Sequence, residues 1–423
     1  MSKPTFVISC PFDTYSGYGG RSRDIVKAII ELDKYEVKLL PQRWGSTSWG
    51  FCADHEEWKF LYNHQIMRLE SKPDIWMQIT IPNEFNPVGK FNIGCTAGIE
   101  ASACKGEWVA GLNRMDLNFG SSNFTVNMFK GVKFEQRNKQ NQPVGELKLE
   151  KPMEVVFEGV NTDIYKPLKN SELKTFDFSD IKEDFCFLFV GHWMKGDFGH
   201  DRKNVSLLVK AFYETFKNKK KQPALILKAS TGVSGYMSRD DILNRIKGLR
   251  KSVDTNRVPN VYVLDGEFTD SEMNELYNNP KIKSMVSFTK GEGFGRPLLE
   301  FSTTGKLVIA SGWSGHTDFL NGEFSILLPG KLENVHPSAA NDWLIQEAQW
   351  FAVDGNAIGT VFNDVFKNYK KYISRGKRQK YYSIKNFSYN KMKELLGRIL
   401  DEKIPEFPKE VSLSLPELNI PKL

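Results

Sequence analysis

The 423-residue chain predicts an α/β protein of two domains. Three observations carry that expectation. Short apolar runs alternate with segments of helical periodicity along most of the length. Twice, a strand-like run leads through a glycine-rich turn into a helix: Thr5–Cys10 before Tyr15–Gly20, and Met285–Phe288 before Gly291–Gly295. The length suffices for two full cores. Local chemistry also places a break between them, where an apolar run, Gly159, an Asx turn at Asn161–Asp163 and Pro167 follow one another.

Composition bounds the class. Hydrophobic residues make up 40% and charged residues 26%, as in soluble globular proteins. No apolar run approaches the ~20 residues of a membrane span. Met1-Ser-Lys-Pro4 leads straight into the first strand, which leaves no room for a signal peptide. The five cysteines are scattered without a C-x-x-C pair, so reduced thiols and a cytoplasmic location are expected. A net charge of +7 suits an anionic nucleotide ligand. It also leaves open a polyanionic acceptor such as nucleic acid, or an anionic membrane surface.

In chain order, Thr5–Cys10 reads as the first strand, and the glycines of Tyr15–Gly20 as a turn opening a helix toward Ile30. A dinucleotide fingerprint is incomplete there, because the third glycine position of G-x-G-x-x-G holds Ser22. Tyr35–Leu40 is the second strand. The aromatics of residues 41–70 (Trp44, Trp49, Phe51, Trp58) are expected mainly as core. His55, Glu56 and His64 lack H-E-x-x-H spacing, so no zinc site is expected. Asp74–Thr80 and Phe91–Thr96 read as further strands, and a hairpin is expected near Asn138–Pro143. After a linker at residues 166–182, Phe185–Gly191 opens the second α/β unit and Val205–Phe212 has helical periodicity. Ala224–Lys228 and Asn260–Leu264 follow as strands, and Thr269 or Asp270 caps a helix. Ala339–Ala352, Asn356–Ser374 and Phe387–Leu400 are expected as helices, and Ile404–Leu423, with four prolines, as an extended strap or disordered tail.

The chemistry concentrates between Met285 and Leu328. Pro297 suits the first turn of a helix, and the amides around Gly295, Arg296 and Leu298 would sit at its N-terminus as an anion site. Glu292 precedes that turn and Glu300 lies one helical turn beyond it. Two carboxylates so spaced can hold different parts of one extended ligand. A sugar nucleotide fits, with its diphosphate between them; two solvated glutamates on an ordinary strand-turn-helix unit are the alternative.

The string Glu292-Gly-Phe-Gly-Arg-Pro-Leu-Leu-Glu300 resembles the E-x7-E signature of the retaining glycosyltransferases of family four. Gly305–Ala310 and Ser311–Asp318 resemble the strand and second glycine-rich turn that follow it in that family, and Glu154–Pro167 resembles the segment ending the N-terminal domain. The resemblance implies the GT-B fold, two Rossmann-like domains facing each other across a cleft. It implies an acceptor domain at residues 1–166, a nucleotide-sugar domain at 167–388, and a final part, 389–423, whose helix returns to the first domain. The implied reaction is sugar transfer from a nucleotide diphosphate-sugar with retention, without cofactor. No D-x-D occurs in the chain, which favours a metal-free leaving-group site.

By the same resemblance, Glu292 would orient sugar hydroxyls, the amides at Phe294 and Gly295 would bind the sugar, and Glu300 would hold the ribose diol. Lys203 matches the family's diphosphate lysine. The family's arginine position holds His192, so either Arg202 takes that role or His192 donates. Gly19 and Gly20 match the N-terminal glycine loop, Arg296 belongs to the donor turn, and the backbone near Gly266 would meet the base. Relatives carry a histidine where this chain has Ala97–Ser102; Glu100 is the nearest polar candidate for that catalytic partner. The acceptor (glycan, lipid, protein or DNA) and the oligomeric state stay open. The same chemistry on modified DNA bases, a non-catalytic sugar-nucleotide-binding module and, less in keeping with the incomplete fingerprint, a nucleotide-dependent oxidoreductase are the alternatives.

Overall fold

The computed structural model describes residues 3–232, 235–255 and 257–407. Two six-stranded parallel sheets organise it. The first runs in the order Glu36–Pro41, Thr5–Cys10, Ile75–Ile79, Phe91–Thr96, Leu117–Gly120, Met153–Val155. The second runs Val261–Leu264, Ala224–Ser230, Cys186–His192, Ile282–Ser287, Leu307–Ser311, Ile326–Leu328. Their strands read as near-continuous apolar runs because helices cover both faces. Each sheet is doubly wound. The strand order reverses beside Thr5–Cys10 in the first and between Cys186–His192 and Ile282–Ser287 in the second. Such switch points leave a crevice at the carboxyl ends of the strands.

The two units meet again at the carboxyl end of the chain. Val160 exchanges backbone hydrogen bonds with Phe387 and Tyr389, at 2.9 and 2.8 Å. Gly159 is required there, since a Cβ would lie 2.6 Å from the Tyr389 Cα. The helix Tyr389–Lys403, capped by Ser388, then lays Met392, Leu396, Ile399 and Leu400 into the core of the first sheet. Residues 408–423, the greater part of the expected proline-bearing tail, lie outside the described residues.

Several expectations are corrected. Residues 339–348 are not helical, and Gln349–Val353 is a strand paired antiparallel with Gly330–Asn334. The Asn341 carboxamide accepts from the amides of Trp343 and Leu344, an Asx turn that competes with helix. Instead of one helix to Ser374, Gly355–Asn368 is followed by a 3₁₀ turn and a further helix, Ile373–Phe387. Trp44, Phe51 and Trp58 are only half-buried and Trp49 is 46% exposed; Phe51 and Trp58 pack on the edge of the first unit's core, which this segment enters through Cys52 and Leu61. The hairpin expected near Asn138–Pro143 is present as Lys133–Arg137 paired with Pro143–Lys148. Among the described residues no helix is long and apolar enough to cross a membrane.

Candidate functional site

The switch point of the second sheet brings two segments side by side. One follows Cys186–His192 and carries Arg202 and Lys203; the other follows Ile282–Ser287 and carries Glu292. The Glu292 amide donates to the Ser314 hydroxyl at 2.9 Å and its carbonyl accepts from the Gly315 amide at 3.0 Å, which fixes the backbone. Its side chain, 8% exposed, is ion-paired with the Lys203 ammonium and lies 3.7 Å from the Arg202 guanidinium. Burial alone would raise the Glu292 pKa; Lys203 first and Arg202 second outweigh it and hold the carboxyl at about 2. Arg202 also donates to the Gly291 carbonyl and pairs with Glu100 of the first unit, both at 3.1 Å. Glu100 therefore reaches the cluster through Arg202. His192 ends its strand with Nδ1 2.8 Å from the Ser230 hydroxyl. Desolvation, then Lys203 and Arg202, lower its pKa to about 4, so the imidazole is neutral at pH 7 and can donate one proton without adding charge.

The turn into the helix Arg296–Ser302 lies beside this cluster. Gly295 adopts φ +96°, in the left-handed region, whereas Gly291 and Gly293 do not. Those two are needed for close approach: a Cβ on Gly291 would lie 2.1 Å from the Glu100 carbonyl oxygen, and one on Gly293 2.6 Å from that of Ala97. The Phe294 ring is buried against Phe319, with centroids 5.0 Å apart, so only its backbone faces the cleft. Of the amides expected at the helix N-terminus, that of Leu298 is already bonded to the Gly295 carbonyl. Glu300, 6% exposed, accepts from Arg296 Nε at 2.9 Å and from the Tyr277 hydroxyl at 3.3 Å. Burial raises its pKa to about 7 against the pull of Arg296. The other edge of the Arg296 fork binds Asp24 of the first unit at 2.5 Å.

The first unit supplies the opposite wall. The expected glycine turn is the first turn of the helix Gly17–Glu31, capped by the Ser16 hydroxyl on the Gly19 amide at 2.9 Å. Gly20 lies under the Arg296 guanidinium, which would be 3.5 Å from a Cβ there. Ser121 and Ser122 donate to the Gly293 carbonyl at 3.0 and 2.6 Å, and the Asn123 amide donates to Asp318 at 2.7 Å. Gly266, at φ +115°, accepts from Lys228 Nζ at 2.6 Å at the far end of the cleft. There Tyr15, Arg23, Phe51 and His55 face Glu267 and Phe268 across a cavity of about 400 Å³.

The structure thus gathers Glu100, His192, Arg202, Lys203, Glu292, Phe294, Gly295, Arg296 and Glu300 around one crevice, with Gly19 and Gly20 opposite and Gly266 at one end. Asp24, Tyr277 and Ser314 join this set unforeseen. Arg21-Ser-Arg-Asp24, three charges at once after the glycines of a buried helix, was the available signal for Asp24. Tyr277 carried none, as it reaches Glu300 from a separate helix. Among the described residues no three His, Cys, Asp or Glu side chains converge as a metal-ligand group.

No protein-family model matches the chain, and no curated protein is similar to it in sequence. Solved structures are similar to it along nearly its whole length. A glycosyltransferase from Rickettsia africae shares 16% identity at a TM-score of 0.64, covering 96% of this chain and 99% of its own. Sucrose-phosphate synthase from Thermosynechococcus elongatus gives 13% and 0.62, covering 95% and 98%. Anabaena HepE, in complex with UDP and glucose, gives 13% and 0.58, covering 94% and 100%. With the two facing sheets these likenesses decide the architecture. The chain has the GT-B fold. In a GT-B protein the crevice between the domains is where the carboxyl ends of both sheets converge, and the residues gathered above lie in it.

Proposed function

We propose that this protein is a retaining glycosyltransferase that moves a sugar from a nucleotide diphosphate-sugar to an acceptor, without a metal ion. One observation carries the reading: two buried carboxylates, Glu292 and Glu300, flank a single turn at the switch-point crevice, each with its own cation, Lys203 and Arg296. That spacing fits the two polar ends of a sugar nucleotide, and a purely structural pair would gain nothing from burial at a crevice. The E-x7-E resemblance and the UDP and glucose of the HepE complex point to the same donor class.

Within this reading residues 1–166 form the acceptor domain, 167–388 the donor domain, and 389–423 the returning helix and tail. Lys203 and Arg202 turn to the diphosphate and neutralise the charge that develops as it leaves. His192 adds a neutral hydrogen bond. Glu292, released from Lys203, orients sugar hydroxyls and steadies the positive charge at the ring, while the Phe294 and Gly295 amides hold the sugar. Glu300 accepts from the ribose diol, and the backbone near Gly266 meets the base. Glu100 positions Arg202 from the acceptor side. The bond from the anomeric carbon to the diphosphate oxygen breaks and a bond to the acceptor oxygen forms on the same face; the acceptor proton passes to the departing phosphate.

The test is thermal unfolding against UDP-, GDP-, ADP-, CDP- and dTDP-sugars without added metal. A ligand that binds only the folded state raises its stability. A shift with one donor, absent in Glu300→Ala, is the expected result. No shift with any donor in a folded sample overturns the reading in favour of a module that has lost sugar-nucleotide binding.

A further inference from the structure

Between Asp364 and Glu394 the chain carries ten Lys or Arg and no Asp or Glu, more than its whole net charge of +7, so the remainder of the protein is net acidic. The structure places seven of these ten on the 3₁₀ turn Tyr369–Tyr372 and the helix Ile373–Phe387, on the outer side of the donor domain, with Lys367 just before them and Lys391 and Lys393 on the last helix. Lys367, Lys370, Lys371, Lys377, Arg378 and Lys385 are exposed. None of them has an ion pair among the described residues, whereas Lys391 and Lys393 are neutralised by Glu394 and Glu31.

The helix is amphipathic in the reverse sense. Its buried positions are small or polar: Gly376, Gln379 and Ser383. Gly376 packs backbone to backbone, where a Cβ would lie 2.4 Å from the Gly305 carbonyl oxygen. Gln379 donates to the Phe319 carbonyl at 2.6 Å and accepts from the Ser325 hydroxyl at 2.9 Å, and Ser383 bonds the Ser302 hydroxyl at 2.8 Å. Two large apolar side chains lie outside, Ile373 at 40% and Tyr381 at 69% exposed, while Phe387 at the end of the helix packs inward. Residues 373, 377, 381 and 385 recur every four positions and form one outer stripe of Ile, Lys, Tyr and Lys, about 18 Å long.

We propose that this face docks the protein on an anionic lipid surface. Clustered lysines on a helix are drawn to the negative potential of such a surface, each adding to the attraction. Tyrosine and an aliphatic side chain between them fit the boundary between headgroups and acyl chains, where an amphipathic helix lies in the plane. Nucleic acid suits the face less well. Phosphate tracking favours the arginine fork, but Arg375 is spent on the Gly322 and Ser325 carbonyls, at 3.0 and 2.6 Å, which leaves Arg378 among lysines. Ile373 has no role on a phosphate backbone.

The test is flotation of the full chain with phosphatidylcholine vesicles, with and without phosphatidylglycerol, beside a gel-shift titration with duplex DNA. Binding to the anionic vesicles alone is expected. Reversing Lys370, Lys371, Lys377 and Arg378 to Glu lowers the partition coefficient at least tenfold. Reversing four equally exposed lysines elsewhere (Lys72, Lys139, Lys151, Lys182) changes it less than threefold, and Tyr381→Ser weakens the binding that survives at raised salt. Equal loss in both reversal variants, equal binding to neutral vesicles, or binding to DNA alone overturns the proposal.

Discussion

Lys203→Met tests the electrostatic centre of the cleft while keeping the aliphatic stem. Glu292 is nearly buried, and its pKa is about 2 against the ordinary 4.5. That difference corresponds to ~3 kcal/mol of folded-state preference for the carboxylate. Because a depressed acid stabilises the fold above its unfolded pKa, the contribution is complete above pH 4.5 and is lost as the pH falls toward 2. Lys203 is its larger cationic source, so its removal leaves burial opposed chiefly by Arg202 and the carboxyl titrates upward. Urea unfolding followed by tryptophan fluorescence should show Lys203→Met destabilised by about 3 kcal/mol at pH 7, with the gap to the native protein narrowing below pH 4.5. A loss below about 1 kcal/mol at pH 7, the range of an exposed pair, would refute the claim that this pair is buried and coupled. So would a gap that does not change with pH.

Two further predictions follow from the seam and from Glu300. Gly291→Ala places a Cβ 2.1 Å from the Glu100 carbonyl, so the facing loops must part by roughly 1 Å at a cost of about 1–3 kcal/mol. Gly131→Ala, with open space around it, should be neutral or slightly stabilising; equal melting temperatures for the two variants would count against the close contact. Glu300 titrates at about 7, and a ribose diol needs the ionised acceptor. Donor affinity measured by calorimetry should therefore be full near pH 8 and weaken by up to about tenfold per unit below pH 7, and Glu300→Gln should abolish that slope. A flat profile in the native protein would remove Glu300 from the donor site.

The architecture was legible because both sheets are parallel and buried on two faces, which writes each central strand as an apolar run such as Cys186–Val190 or Met285–Ser287. Where burial follows another pattern the reading failed. Trp350 and Ala348 are buried against the first unit, beside Trp108 and Phe129, so their pattern reflects a contact far away in sequence. The helix Ile373–Phe387 buries Gly, Gln and Ser and shows tyrosine outside, the reverse of the signal that marks a surface helix.

The candidate site divides along the same line. Lys203 was singled out by the family resemblance alone. Glu292 and Glu300 were legible because local backbone chemistry places them, at a switch-point turn and one turn into the helix it opens. Their partners across the crevice were not, because Asp24 on Arg296, Glu100 on Arg202 and Ser122 on the Gly293 carbonyl are separated from their partners by 102 to 272 residues, and no local period encodes such a pairing. The glycines show both cases at once. Gly295 is fixed by its own positive φ, a local demand. Gly291 and Gly293 have ordinary backbone angles and are fixed by Glu100 and Ala97 of the other unit. One glycine-rich string therefore encodes a turn at Gly295 and an interface at Gly291 and Gly293, and substitutions there should separate the two. A side chain at Gly295 strains the turn within one domain, whereas one at Gly291 or Gly293 acts on the distance between the two.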